Sequence, residues 1–169
     1  QPTHPVQQPQ PATEGVFASN PDYLPRIQGV FAKAAKEPDK YFPVYNYLPK
    51  FIEAEKEYDR PGLAALLALQ AMYESTGGVA KNGNNIFGAR VYRTGKGWVS
   101  LKFDSIDKAI EYQLGPSMLS GGGNPNMNIL SRTGPITVPE IENLYKSYDP
   151  PGAYIRPLLD SYYQITGLR

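Results

Sequence analysis

One stretch constrains the fold more than any other. Residues 63–73 read Leu-Ala-Ala-Leu-Leu-Ala-Leu-Gln-Ala-Met-Tyr, without a charge among them. A helix that is apolar on every side has no face to give to water, so the rest of the chain must surround it. Arg60-Pro61-Gly62 sets its start, with proline near the first turn, and Gly77-Gly78 sets its stop. Leu63, Leu66, Leu67, Gln70 and Glu74 fall on one stripe at helical spacing. That stripe delivers a carboxylate, Glu74, at the C-terminal end of a buried face. Burial opposes its ionisation, and so does the partial negative charge of the helix end. An acid in that place is either a satisfied structural group or a proton donor.

The remaining sequence narrows the possibilities. A chain of 169 residues is long enough for one domain with a real core. Its net charge of +1 gives no electrostatic case for nucleic acid or an anionic membrane. The absence of cysteine excludes disulfides, thiol catalysis and zinc–thiolate sites. The one histidine, His4, lies near the start, so a Ser/His triad in the folded part is excluded. With no His or Cys there and no calcium-loop spacing of acids, no metal or other cofactor is expected. No apolar run reaches transmembrane length. Thirteen tyrosines supply rings that are both apolar and hydrogen-bonding. Such rings suit sugar faces, and equally suit cores and their rims.

Residues 1–15 are rich in Pro and Gln and read as a tail or linker, one that could tether the domain to something larger. No secretory leader is legible, and Gln1 in place of Met leaves room for a removed leader or a larger parent chain. Residues 16–169 form the expected domain. Asn20-Pro21-Asp22 opens a helix with Ile27, Val30, Phe31 and Ala34 on one side, broken by Pro38 and Pro43. A second helix is expected over 48–58, with Phe51, Ile52 and Ala54 inward. Two short strands are expected over 86–92 and 98–103, joined by a loop at 93–97. A helix follows from about Ser105 to the Gly115-Pro116 stop, with Asp104 as its cap. Residues 120–134 read as a loop beside whatever the domain binds. Thr137-x-x-Glu140 is a capping box. It opens a helix with Val138, Ile141, Leu144, Tyr145 and Tyr148 on one side, broken at Asp149-Pro150-Pro151-Gly152. A last helix covers 153–165. The fold class is α+β and mainly α, with one small β-hairpin lobe after the central helix.

Four motifs in order resemble a known family. Gln70-Ala71-Met72-Tyr73-Glu74-Ser75 precedes Asn84-Asn85-Ile86-Phe87-Gly88-Ala89-Arg90. Phe103-Asp104-Ser105 follows with Ala109-Ile110, then Leu144-Tyr145-Lys146-Ser147-Tyr148-Asp149-Pro150 with Tyr154. Over about residues 48–165 the chain resembles the glucosaminidases typified by flagellar and autolysin peptidoglycan hydrolases. In that family a helix ends in Gln-Ala-x-x-Glu-Ser, Asn-Asn-Leu-Phe-Gly-Ile-Lys follows, and the closing stretch is Tyr-Ala-Thr-Asp-Pro-x-Tyr. The resemblance implies a lysozyme-like fold and cleavage of the glycan strands of peptidoglycan. It implies a periplasmic, secreted or virion-associated setting.

On that resemblance Glu74 is the general acid that protonates the leaving glycosidic oxygen. Tyr145 matches the family's tyrosine, as a partner for Glu74 or the substrate N-acetyl group, or else as a core residue. Ser75 either orients Glu74 or caps the helix. Asn85 and Phe87 shape the cleft floor, or Phe87 is hairpin core. Trp98 is a sugar platform if it faces outward and core if it does not. Tyr148 is a further substrate contact. Arg93, Lys96 and Lys102 either meet acidic peptide stems or are simply solvated. One departure stands out. Two-carboxylate glycosidases need a second acid, which the family places in the β-lobe, yet residues 91–103 contain no Asp or Glu. The second role then falls to the substrate, as in lytic transglycosylases, or the enzyme hydrolyses with a water held by Tyr145 or by another acid. A non-catalytic glycan-binding module is the remaining expectation.

Overall fold

The computed structural model describes residues 23–147 and 154–169. The 1–15 tail, the Asn20-Pro21-Asp22 helix start, Tyr148 and the break at 149–152 lie outside the described residues. Within them are six α-helices and one two-stranded antiparallel sheet. The architecture is mainly helical α+β. No helix among the described residues is long and apolar enough to cross a membrane.

Helix α1 (Tyr23–Ala35) is followed by a 3₁₀ turn (Pro43–Tyr47), α2 (Leu48–Tyr58) and α3 (Leu63–Ser75). Strands β1 (Arg90–Arg93) and β2 (Gly97–Ser100) come next, then α4 (Ile106–Gln113). A second 3₁₀ turn (Pro125–Met127), α5 (Val138–Tyr145) and α6 (Ile155–Thr166) complete the order. Every residue from Leu63 to Leu69 is fully buried, as an all-apolar helix requires. Helices α2 and α6 pack along α3, while α1 and α5 pack against α6. Phe31, Phe42 and Tyr45 form an aromatic corner beside it, with ring centroids 5.6–5.8 Å apart.

Helix α3 has no capping side chain of its own at its N-terminus. Its N-cap is Gly62, in the left-handed region at φ 99°. A Cβ there would stand 2.0 Å from the Tyr162 hydroxyl oxygen, so only glycine fits. The orphan N–H groups are satisfied from another helix. Glu55 Oε1, on α2, accepts from Gly62 N at 2.7 Å and Ala64 N at 3.2 Å. Next to it Arg60 is completely buried. It donates to the carbonyls of Thr133 (2.9 Å) and Gly134 (2.7 Å) and to Glu140 Oε2 (2.6 Å). Glu140 also closes the Thr137 capping box of α5, as read from the sequence. Tyr162 adds a donor bond to the Ile136 carbonyl at 2.6 Å. One polar knot thus joins the α2–α3 corner, the start of α5 and the body of α6.

Three boundaries differ from the sequence reading. The first strand begins at Arg90 and not at 86, because Ile86 and Phe87 are buried in a turn that Gly88 reverses at φ 65°. The second strand ends at Ser100; beyond it Leu101 and Phe103 bond as single contacts to the Ala89 and Gly83 carbonyls. Helix α4 is capped by Ser105, whose hydroxyl accepts from Lys108 N, and not by Asp104. Ser105 is the residue with extended backbone immediately before the first helical turn, where a cap must stand.

The buried Glu55 makes stability depend on pH. Desolvation pushes its carboxyl from the ordinary 4.5 up to about 7, against the pull of the backbone N–H groups of Ala64, Gly62 and Leu63. The folded state therefore holds a proton that the unfolded state releases between those values. Stability is greatest below about pH 4.5 for this group and falls as pH rises through about 7, by roughly 3 kcal/mol. Urea unfolding at pH 5 and pH 8 should show this loss in the wild type and a much flatter profile in Glu55→Gln. Equal slopes in the two proteins would remove Glu55 as the cause.

Candidate functional site

Glu74 occupies the last turn of α3, immediately before a reversal in which Thr76 (φ 51°), Gly77 and Gly78 all take left-handed backbone. The reversal turns the chain out of the core and leads it to the hairpin. The residue itself is exposed, unlike the rest of the helix, so the buried carboxylate expected from the stripe is corrected. The stripe reaches the end of the core at Gln70, which is buried and accepts from Gln113 Nε2 at 2.9 Å. One turn later the side chain projects from the helix end toward solvent.

Three neighbours define the carboxyl's surroundings. Tyr154, the N-cap of α6, donates its hydroxyl proton to Glu74 Oε1. Gly88 lies against the other oxygen: a Cβ built there would come within 2.7 Å of Oε2. Arg90, first residue of β1, adds a positive charge nearby. Desolvation by these and adjoining atoms raises the Glu74 pKa, while the Tyr154 hydrogen bond and the Arg90 charge pull it down. The residue is thus open to solvent on one side and closely lined on the other. Among the described residues no carboxylate contributes to this shift.

Tyrosines support the site from behind. Tyr73 stacks on Tyr154 with centroids 5.3 Å apart and planes 11° from parallel. Tyr145, buried on α5, meets Tyr154 edge-on at 6.0 Å. The phenol that reaches Glu74 is therefore Tyr154, and Tyr145 packs behind it. The sequence did hold a signal for Tyr154, the final tyrosine of the Tyr-x-x-Asp-Pro-x-Tyr-like stretch. Arg90 was likewise present in the quoted Asn-Asn-Ile-Phe-Gly-Ala-Arg run without a role.

The other predicted residues separate into two groups. Ser75 is buried; its hydroxyl donates to the Ala71 carbonyl at 2.9 Å and accepts from Gly78 N at 3.0 Å. It caps the end of α3. Asn85 is also buried, and its amide holds the base of the hairpin. Nδ2 donates to the carbonyls of Ala89 (2.8 Å) and Leu101 (2.9 Å), and Oδ1 accepts from Ala89 N (2.8 Å). Phe87 is core, with its ring 6.0 Å from Phe51. These three position the site and do not line it. Trp98 belongs to the other group, since it faces outward. Tyr148 lies outside the described residues.

A hollow of about 450 Å³ is lined by Glu37, Lys40, Met72, Tyr73 and Thr76 among others and does not include Glu74. A larger groove, about 810 Å³, runs between α4 and the residues after it and does not include Glu74 either. Set against protein-family models, curated proteins and solved structures, the chain finds no match.

The electrostatics make a directional prediction. Glu74 should titrate above an ordinary glutamate when followed by carboxyl ¹³C NMR. Tyr154→Phe removes a bond to the ionised form and Arg90→Gln removes a favourable charge, so each should move the titration further upward. A downward move in either variant would contradict the assignment of those two groups.

Proposed function

We propose that the protein is a peptidoglycan-cleaving glycosidase of N-acetylglucosaminidase type, with a lysozyme-like arrangement of helical body and β-lobe, and with Glu74 as general acid. The observation that supports this most is a single carboxyl, raised in pKa, accessible to solvent and hydrogen-bonded by a tyrosine at the junction of the helices and the hairpin. A raised pKa leaves more of the carboxyl protonated at a given pH than in an ordinary glutamate, which suits a proton donor. The order of motifs around Glu74, which resembles that of the glucosaminidases, supports the substrate class.

In the proposed reaction Glu74 gives its proton to the glycosidic oxygen as the bond from that oxygen to the anomeric carbon breaks. The leaving sugar departs as a neutral alcohol. Tyr154 and Arg90 stabilise the carboxylate left behind, through a hydrogen bond and a positive charge. The anomeric carbon then takes a new oxygen nucleophile in place of the departed one. Attack by water, with a proton passing to the Glu74 carboxylate, yields a reducing end. Attack by the sugar's own 6-hydroxyl, on the face the leaving oxygen vacated and with its proton passing to the Glu74 carboxylate, yields a 1,6-anhydro end.

One observation favours the second course. The only charged group that acts on Glu74 among the described residues is a cation, and residues 91–103 contain no acid to activate water. The alternative reading is thus a single-carboxylate lytic transglycosylase or muramidase, in which the substrate supplies the second group.

Digestion of purified peptidoglycan sacculi tests both. Glu74→Gln should lower turnover by about 10²–10⁴-fold, the usual worth of a positioned acid. Wild-type turnover should fall as pH rises through the raised Glu74 pKa, because the acid must start protonated. Mass spectrometry of the released fragments separates anhydro from reducing ends and names the sugar that carries them. Sacculi left intact by wild type and variant alike would overturn the enzyme reading and leave a binding module.

A further inference from the structure

The hairpin displays a pair of aromatic side chains that the fold does not use. Tyr92 is 65% exposed and Trp98 63%, more than any other large apolar side chain among the described residues. They face each other across the ladder as a register pair, with ring centroids 5.8 Å apart and planes at 73°. Hairpin side chains alternate in direction, so Arg90, Tyr92, Trp98 and Ser100 share one face while Val91 and Val99 share the other. The burial follows that alternation: the first face is exposed and the two valines are half-buried. An exposed Trp–Tyr pair costs apolar hydration and returns little packing. The lobe is held by Asn85 and the half-buried valines instead.

Position and charge say what the face is for. Arg90 belongs to it, and the charge of Arg90 acts on Glu74. Tyr92 lies two residues further along the strand, about 7 Å away. The aromatic pair therefore continues outward from the site along one strand. The surrounding segment, residues 90–103, contains Arg90, Arg93, Lys96 and Lys102 and no acid. Stacking rings within a cationic field match a ligand with apolar sugar faces and anionic appendages. Single-stranded nucleic acid shares part of that description. Its phosphates, however, would run toward the Glu74 carboxylate, and the chain as a whole carries only +1.

We infer that the Arg90–Tyr92–Trp98 face is a binding platform for a glycan strand of N-acetylated sugars bearing acidic peptide stems. The Tyr92–Trp98 pair stacks on sugar rings, and the hairpin cations meet the stem carboxylates. The inference rests on the proposed glycan-cleaving function and adds to it the recognition of the stems, with Tyr92 and Arg90 as contacts.

Trp98 is the only tryptophan of the chain, so its fluorescence reports on the platform directly. The titration uses Glu74→Gln protein, to prevent turnover. One arm adds a neutral N-acetylglucosamine oligomer, the second adds soluble stem-bearing glycan strands, and a third adds an oligothymidylate. Both sugars should shift Trp98 emission to the blue and shield it from acrylamide. The stem-bearing strands should bind about tenfold tighter, the worth of one good charge-assisted contact. That advantage should vanish near 1 M salt, where screening acts within about 3 Å. Tyr92→Ala, at an exposed site, should weaken both sugars about tenfold without lowering Tm. Unchanged emission with both sugars, or tighter binding of the oligothymidylate than of either, overturns the platform. The two readings separate cleanly. Silent Trp98 emission while wild type still solubilises sacculi removes the platform and leaves the glycosidase. A responsive Trp98 with sacculi that stay intact removes the glycosidase and leaves the platform.

Discussion

From Leu63 to Met72, helix α3 cannot face water on any side, and the rest of the molecule follows from that. Burying each of its leucines contributes about 1.5–3 kcal/mol, and every one of them is fully enclosed. Enclosure creates a second problem at the helix ends, where backbone groups lack partners and water is excluded. At the N-terminus the solution comes from outside the helix, through Glu55 on α2. At the C-terminus it is local: Ser75 bonds both the Ala71 carbonyl and Gly78 N. The two ends thereby acquire different characters. One is a sealed polar knot around Glu55, Arg60 and Glu140. The other is an exit from the core, and Glu74 stands at it.

Two raised carboxyls on one framework have different relations to water. Glu55 is sealed in, and desolvation dominates even though backbone N–H groups oppose it. Its proton is a matter of stability. Glu74 stands half in solvent, and its shift is a balance between desolvation and two groups that favour the ionised form. A proton held in such balance can be given up and recovered, because the carboxylate left behind keeps a hydrogen bond and a nearby cation. Both carboxylates have groups that favour their ionised form, so accessibility to solvent is what separates the candidate proton donor from the satisfied buried acid.

Much of this could be read from residue types and spacing. The limits of α2 follow from Leu48 to Tyr58 as expected, and α5 opens on its capping box. Those features depend on local chemistry, which sequence displays directly. Tyr154 was passed over for Tyr145 because the choice depends on where α6 begins and which way its first residue points. That is fixed by the packing of Tyr154 on Tyr73, a contact between residues 73 and 154. The role of Glu55 was hidden for the same reason. Within α2 it reads as one more charge among Glu53, Lys56 and Glu57, and only the sharp α2–α3 corner brings it onto an orphan helix terminus. Asn85 was read as part of the cleft, whereas its amide is committed to the hairpin backbone, which spacing alone does not reveal.

That commitment bears on the site itself. A two-stranded hairpin is marginal by itself and takes its position from whatever clamps its base. Here the clamp is the Asn85 amide, which bonds Ala89 on both its N–H and its carbonyl. Ala89 lies between Gly88, which touches the Glu74 carboxyl, and Arg90, whose charge acts on it. The buried amide therefore fixes the backbone on which Gly88 and Arg90 stand beside the acid. Gly88 matters because it lets the backbone itself form the wall beside Oε2, where any side chain would fill the space. A lobe fixed in this way can present Arg90, Tyr92 and Trp98 on one face without drawing on their side chains for its own stability.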